Sequence, residues 1–277
     1  MSELADRYQD IRAEFDLLVT HGTQIANSLA GKDAPHDREF YADRVFSKLL
    51  CHAITLWRIS PTALGSGPTE LWDISSAAAV ARALIESFDA LSYVALEDVA
   101  QQEREFRILL WKLHAEERRQ TMLALIGSLA PEIVMIDAAV LALRSELLAH
   151  PMLHGNGPGL AKKVARGDTP PFHLGHAERN RRSRVDHDYY NAAIMFLSAY
   201  VHTFPFSVHQ LMEFRAGNDE SLRLMSMPLQ YSLGFLSKAI EGMHSVFSTS
   251  LPMPDEITSK TLITWVGLLD RGIRHAG

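Results

Sequence analysis

The sequence predicts an all-α protein, a single bundle of about seven to nine helices over 1–277. Three observations carry that expectation. Apolar residues recur at intervals of three, four and seven along most of the chain, and no stretch alternates with the period of two that a half-buried strand requires. The interruptions fall at Gly, Pro and cap residues. The 277 residues are 47% hydrophobic and 22% charged, enough apolar material to bury a full core without a divided linker. The expected exception is one long Gly/Pro-containing basic loop, 151–185.

Leu4, Tyr8, Ile11, Phe15, Leu18 and Ile25 form the stripe of a long first helix ending near Gly31. Phe40, Val45, Phe46, Leu49, Ile54 and Trp57 mark a second from Asp37 to Ile59, closed by Pro61 and LGSGP at 64–68. Asp73 is the expected cap of the third, ISSAAAVARALIESFDALSYVALED, whose alanines admit a close neighbour and place it in the bundle interior. The fourth, about Gln101 to Leu129, has an apolar face of Phe106, Leu109, Leu110 and Leu113. Its charges, Glu103, Arg104, Arg107, Glu116 and Arg119, read as a solvated face, as do His114 and Glu117 in WKLHAEER.

Pro131 opens the fifth helix and Pro151 stops it. From Pro151 to Arg184 no period is sustained, and a segment of that length inside a domain is usually functional or mobile. Asp186 to Met212 carries no Asp, Glu, Lys or Arg from Tyr189 onward and is expected in the core, with a break at Pro205 and a new start at Ser207. GNDES precedes a helix reaching about Phe247, interrupted by Pro228. Asp255 and Glu256 start the last one, ITSKTLITWVGLLDRGIRH.

A formal charge of -6 confines any nucleic-acid binding to a local patch. The lone Cys51 cannot form an internal disulfide, and as a small buried hydrophobe it fits a reducing, cytoplasmic setting. The acidic, amphipathic N-terminus lacks a signal core, and polar residues interrupt the one long uncharged run, so neither export nor a membrane span is expected.

Chemistry is expected where polar residues enter apolar helices together. Ser198 and His202 lie four apart, sharing a face beside the stripe of Tyr190, Ile194, Leu197 and Val201, and Arg82 and Glu86 lie four apart on the alanine-rich third helix. Together they suggest an interior pocket for a small anionic ligand. In it Arg82 binds the anion, Glu86 orients it or His202, His202 transfers a proton and Ser198 hydrogen-bonds. Tyr190 lines the pocket, with Arg182 in the loop above it. No metal is expected: His150 with His154 and His173 with His176 have usable spacings but no cysteine beside them, and Glu241-x-x-His244 occurs once where a di-iron bundle needs two. No cofactor motif, hydrolase elbow or phosphate loop is present.

Arg182 with His187, and Arg144 with His150, resemble the short Arg-to-His motif of HEPN-type helical ribonucleases. RALIESFDALSYV and Tyr190 followed by LSAYVH likewise resemble bacterial all-helical families of unknown function, some of them HEPN relatives. The first resemblance implies metal-independent RNA cleavage, with histidine in acid-base chemistry and arginine at the phosphate, and RNA held by the basic loop. The third alternative is a non-catalytic scaffold whose apolar helical faces mediate assembly, and a homo-oligomer is compatible with all three readings.

Overall fold

Helices are the only regular elements among the described residues of the computed structural model, which are 3–62, 72–155, 158–214, 218–247 and 251–273. They are α1 (Glu3–Leu29), α2 (Asp37–Ile59), α3 (Ile74–Leu91), a π-helical turn (Ser92–Leu96), α4 (Gln101–Leu125), α5 (Ile133–Ala149), α6 (Pro151–Gly155), α7 (Pro158–Arg166), α8 (His176–Arg182), α9 (His187–Val201), α10 (Pro205–Glu213), α11 (Asp219–Phe247) and α12 (Glu256–Arg271). These twelve α-helices exceed the expected seven to nine because the basic loop is not irregular: it carries α6, α7 and α8. Pieces of five, nine and seven residues are too short to display a repeating apolar stripe. The LGSGP turn lies outside the described residues. No helix among those described is long and apolar enough to cross a membrane.

The chain forms two compact units, Met1–Ser92 with Asn180–Gly277, and Tyr93–Arg179. In the first, α3 packs on α2, α9 and α11, and α11 also packs on α1, α2 and α12. The interior position expected of α3 is observed, with Ala77, Ala78 and Ala81 fully buried. The centre, however, belongs to α11 rather than α9. From Ser221 to Ile240 α11 is buried on nearly every side, whereas α9 exposes Asn191, Ala192 and Met195. Absence of charge made α9 look central, but a helix needs burial on both faces to be central, and α9 has it on one. Pro228 does not interrupt α11. Its missing N–H and ring clash cost about 3 kcal/mol in a free helix, offset here by the buried side chains around it. Cys51 also differs from expectation, lying exposed on the outer face of α2.

The α1–α11 contact contains two facing imidazoles. His21 Nε2 lies 3.4 Å from His244 Nε2, and His21 Nδ1 lies 3.4 Å from the Gln24 side-chain oxygen. Burial holds both histidines below their ordinary value of 6.5; for His21, Gln24 and Asp255 oppose that shift, while His244 adds to it. A histidine with a lowered folded pKa binds protons more readily when unfolded, so stability contributed by the neutral pair is complete above about pH 6.5 and falls as pH drops below it. Urea melts at descending pH should therefore show a steeper loss in the wild type than in His21→Gln. Equal slopes for the two proteins would remove the pair as a source of acid sensitivity.

The second unit is built on the antiparallel α4–α5 pair, closed by α6 and α7. Its core joins Phe106, Leu110 and Leu113 to Ile136, Val140, Leu147, Leu153 and Val164. The apolar face expected of α4 is therefore the one that is used.

Candidate functional site

Arg82, Glu86 and His202 converge. Arg82 and Glu86 face each other across one turn of α3, with Nε donating to Glu86 Oε1 at 2.9 Å. His202 ends α9, its backbone N–H donating to Ser198 O at 3.0 Å, and its Nε2 lies 3.0 Å from Arg82 Nη1. Since arginine only donates, Nε2 is the acceptor and the neutral ring carries its proton on Nδ1. The chain then turns sharply: Thr203 adopts φ 54, a left-handed conformation that costs a β-branched residue about 1–2 kcal/mol. That turn leads to Phe204, whose ring lies 5.5 Å from the His202 ring, and to α10.

The cluster is not interior. Arg82 and Glu86 side chains are 28% and 56% exposed, and His202 is exposed as well. The expected interior pocket is thus corrected to a surface site, because α9 ends at Val201 before the layer that would cover it. An ion pair so exposed contributes only about 0.5 kcal/mol, so the arrangement adds little to folding. Ser198 is not part of it: its hydroxyl donates to Ile194 O within its own helix. Tyr190 is buried nearer the start of α9, donating to Asp89 Oδ2 at 2.7 Å. Asp89 lies seven residues beyond Arg82 on α3, so Tyr190 sits two helical turns, roughly 10 Å, along the helix from the cluster. Arg182 ends α8 and is partly buried.

The Arg-to-His pairs are also placed. Arg144 Nη2 donates to Glu117 Oε1 at 2.9 Å, while His150 Nδ1 accepts from Met152 N at 3.3 Å and its ring rests on Phe106. Arg144 is thus committed away from His150. His187 Nδ1 lies 3.0 Å from Asn180 Nδ2. Nor is the basic run uniformly solvated: Arg179 is buried over the Phe172 ring, while Arg184, 3.2 Å from Asp270, is 80% exposed.

The most strongly buried charges were read from the sequence as solvated. Arg107 is 0% exposed and Arg104 is 5% exposed. Arg107 donates to Glu97 Oε2 at 2.8 Å, to Glu103 Oε1 at 2.6 Å and to Tyr93 O at 2.9 Å; Arg104 donates to the Val94 and Glu97 carbonyls. These carbonyls belong to the π-helical segment and the residue just after it, where helix carbonyls commonly need donors from outside the helix. The two arginines serve as its C-terminal cap. Tyr93 completes the group, its hydroxyl 2.7 Å from His173 Nδ1 and its pKa raised by burial. The available signal was the unbroken apolar run Ile108, Leu109 and Leu110 directly after Arg107, which widens the buried arc of α4 to include it.

Glu117 and His114 are not solvated either. Glu117 Oε2 accepts from Thr169 N at 2.9 Å and His114 Nδ1 lies 2.7 Å from Thr169 O, so the two side chains hold the N–H and the C=O of one residue. Gly167 makes the turn into that clamp with φ +77, where a Cβ would meet Arg144 Nη2 at 3.1 Å. Compared with protein-family models, curated proteins and solved structures, the chain matches none.

Proposed function

We propose that the protein binds a small anionic ligand at the exposed Arg82–His202 site, and that binding rather than bond-breaking is its task there. The supporting observation is the 3.0 Å contact from Arg82 Nη1 to His202 Nε2 with Glu86 on Nε. Two of the guanidinium's edges are held by the protein, which fixes its plane, and the Nη2 edge remains for a carboxylate or phosphate oxygen. The histidine lone pair that a general base would use is already engaged by Arg82, so His202 presents its Nδ1–H as a second donor instead of accepting a proton. Glu86 then orients the arginine. The strained Thr203 turn, held at a site of little folding value, is consistent with a functional constraint.

Phe204 beside His202, with Val201 preceding it, favours an anion carried on an apolar or aromatic body over a bare ion. Phenyl phosphate should accordingly perturb the Arg82 Nε–H and His202 NMR resonances at lower concentration than inorganic phosphate does. Arg82→Met should weaken that binding by about tenfold or more, the scale of a lost charge-assisted bond, without lowering thermal stability. If phenyl phosphate leaves both resonances unmoved, or Arg82→Met binds it as the wild type does, the site is an ordinary surface ion pair.

A further inference from the structure

We infer that the α4–α5 hairpin is the interface of a homodimer, in which α4 of one copy packs against α5 of the other about a twofold axis. The inference is independent of the ligand site and starts from the composition of α5. IVMIDAAVLALRSELLA is apolar on nearly all sides, the pattern of a helix covered by neighbours all round. Within its own unit, only one face is covered. Ile136, Val140 and Leu147 are buried against α4, with Leu143 partly so. The opposite face is offset by two residues, or about 200° around the helix. It consists of Val134, Ala138, Leu141 and Ser145, all exposed, with Met135 and Ala142 alongside. Alanine and serine at the centre of this face permit an unusually close helix–helix approach.

The end of α4 continues the surface. Met122 is 60% exposed, Leu125 81%, Ile126 76% and Leu129 97%, and on α5 Val134, Met135 and Leu141 are 74%, 73% and 65% exposed. Between the two helix ends Leu123, Leu125, Ile133 and Ile136 line an open groove of about 650 Å³. With Met122, Leu125, Ile126 and Leu129 on one helix end and Val134, Met135 and Leu141 on α5, the hairpin exposes more large apolar side chains than a monomer surface usually gathers in one place.

Charge selects the occupant. The exposed charges beside the patch are Arg118 and Arg119 on α4, Arg119 standing 4.0 Å from the half-buried Glu116, and Glu132 just before α5 with Glu146 on it. A twofold arrangement that lays α4 on the partner's α5 brings basic against acidic twice, whereas α4 on α4 would oppose the arginines. The hairpin is therefore complementary to a second copy of itself. An anionic lipid surface would meet the acidic α5 flank, which disfavours it.

Sedimentation equilibrium from about 1 to 100 μM, a range that reports dissociation constants of ordinary dimers, should give twice the 30.9 kDa chain mass at the upper end. Leu129→Glu and Leu141→Glu, both at exposed positions, should each return the monomer mass with an unchanged circular dichroism spectrum. Met195→Glu, equally exposed on α9, should keep the dimer. Two charge-reversed proteins separate this pairing from general stickiness: one carries Arg118→Glu with Arg119→Glu, the other Glu132→Lys with Glu146→Lys. Each alone should dimerise at least tenfold more weakly, and an equimolar mixture should recover a heterodimer of near wild-type affinity. A wild type that stays at the chain mass at about 100 μM overturns the inference. So does a dimer that survives both glutamate substitutions, a mixture that does not recombine, or a monomer that instead cosediments with phosphatidylglycerol vesicles.

Discussion

Replacing Arg107 with alanine is expected to destabilise the Tyr93–Arg179 unit by about 3–5 kcal/mol, because it removes the fully buried cation of a hydrogen-bonded ionic group. Arg107 is 0% exposed, and its guanidinium serves Glu97, Glu103 and the Tyr93 carbonyl at once. Without it Glu97 and Glu103 each lose a buried charged donor and the Tyr93 carbonyl loses its hydrogen bond. Arg107→Lys should recover only part of the loss, since one ammonium does not reproduce a planar fork reaching three acceptors. Lys260→Ala supplies the comparison: that lysine is 74% exposed and pairs with Glu256 at 2.7 Å, and its removal should stay within about 0.5 kcal/mol. Urea denaturation followed by circular dichroism measures all three. An Arg107→Ala protein within about 1 kcal/mol of the wild type would mean that the other surroundings of Glu97 and Glu103 make up for the lost guanidinium.

Glu117→Ala should cost about 2–3 kcal/mol by a related route. One carboxylate here satisfies Arg144 and the Thr169 amide together, so truncation strands a backbone donor in a buried position and frees a partly buried arginine. Glu117→Gln keeps an acceptor but not the charge, and should lose about half as much. The local readout is hydrogen exchange at the Thr169 amide, which should accelerate strongly in Glu117→Ala and modestly in Glu117→Gln. Unchanged exchange would show that the Thr169 peptide is held by His114 and packing alone.

These two residues show where sequence reading stops. Glu103, Arg104 and Arg107 have the spacing of a solvated helical face, and so do His114 and Glu117. Spacing along one helix reports which residues share a side, but not what stands opposite that side. What stands opposite Arg107 is the end of the π-helical turn, and what stands opposite Glu117 is the Thr169 peptide, 52 residues away. At Arg82 and His202 the same logic worked in the other direction. Two i,i+4 patterns located two residues that do meet, 120 positions apart, yet their depth was misjudged because an uncharged helix was taken for a central one.

By itself, the sequence determined the helical class, the positions of the long helices, the starts at Asp73 and Asp255 and the apolar face of α4, since each depends on interactions within a few residues. Asp73, Asp186 and Asp255 accept from Ser76, Tyr189 and Thr258 as local capping requires. Only the tertiary structure decided that α11 rather than α9 is central, that the basic segment folds into short helices, and which charges are sealed and which are open to solvent. Burial is a property of what packs against a face, and the partner face is supplied by chain that is distant in sequence.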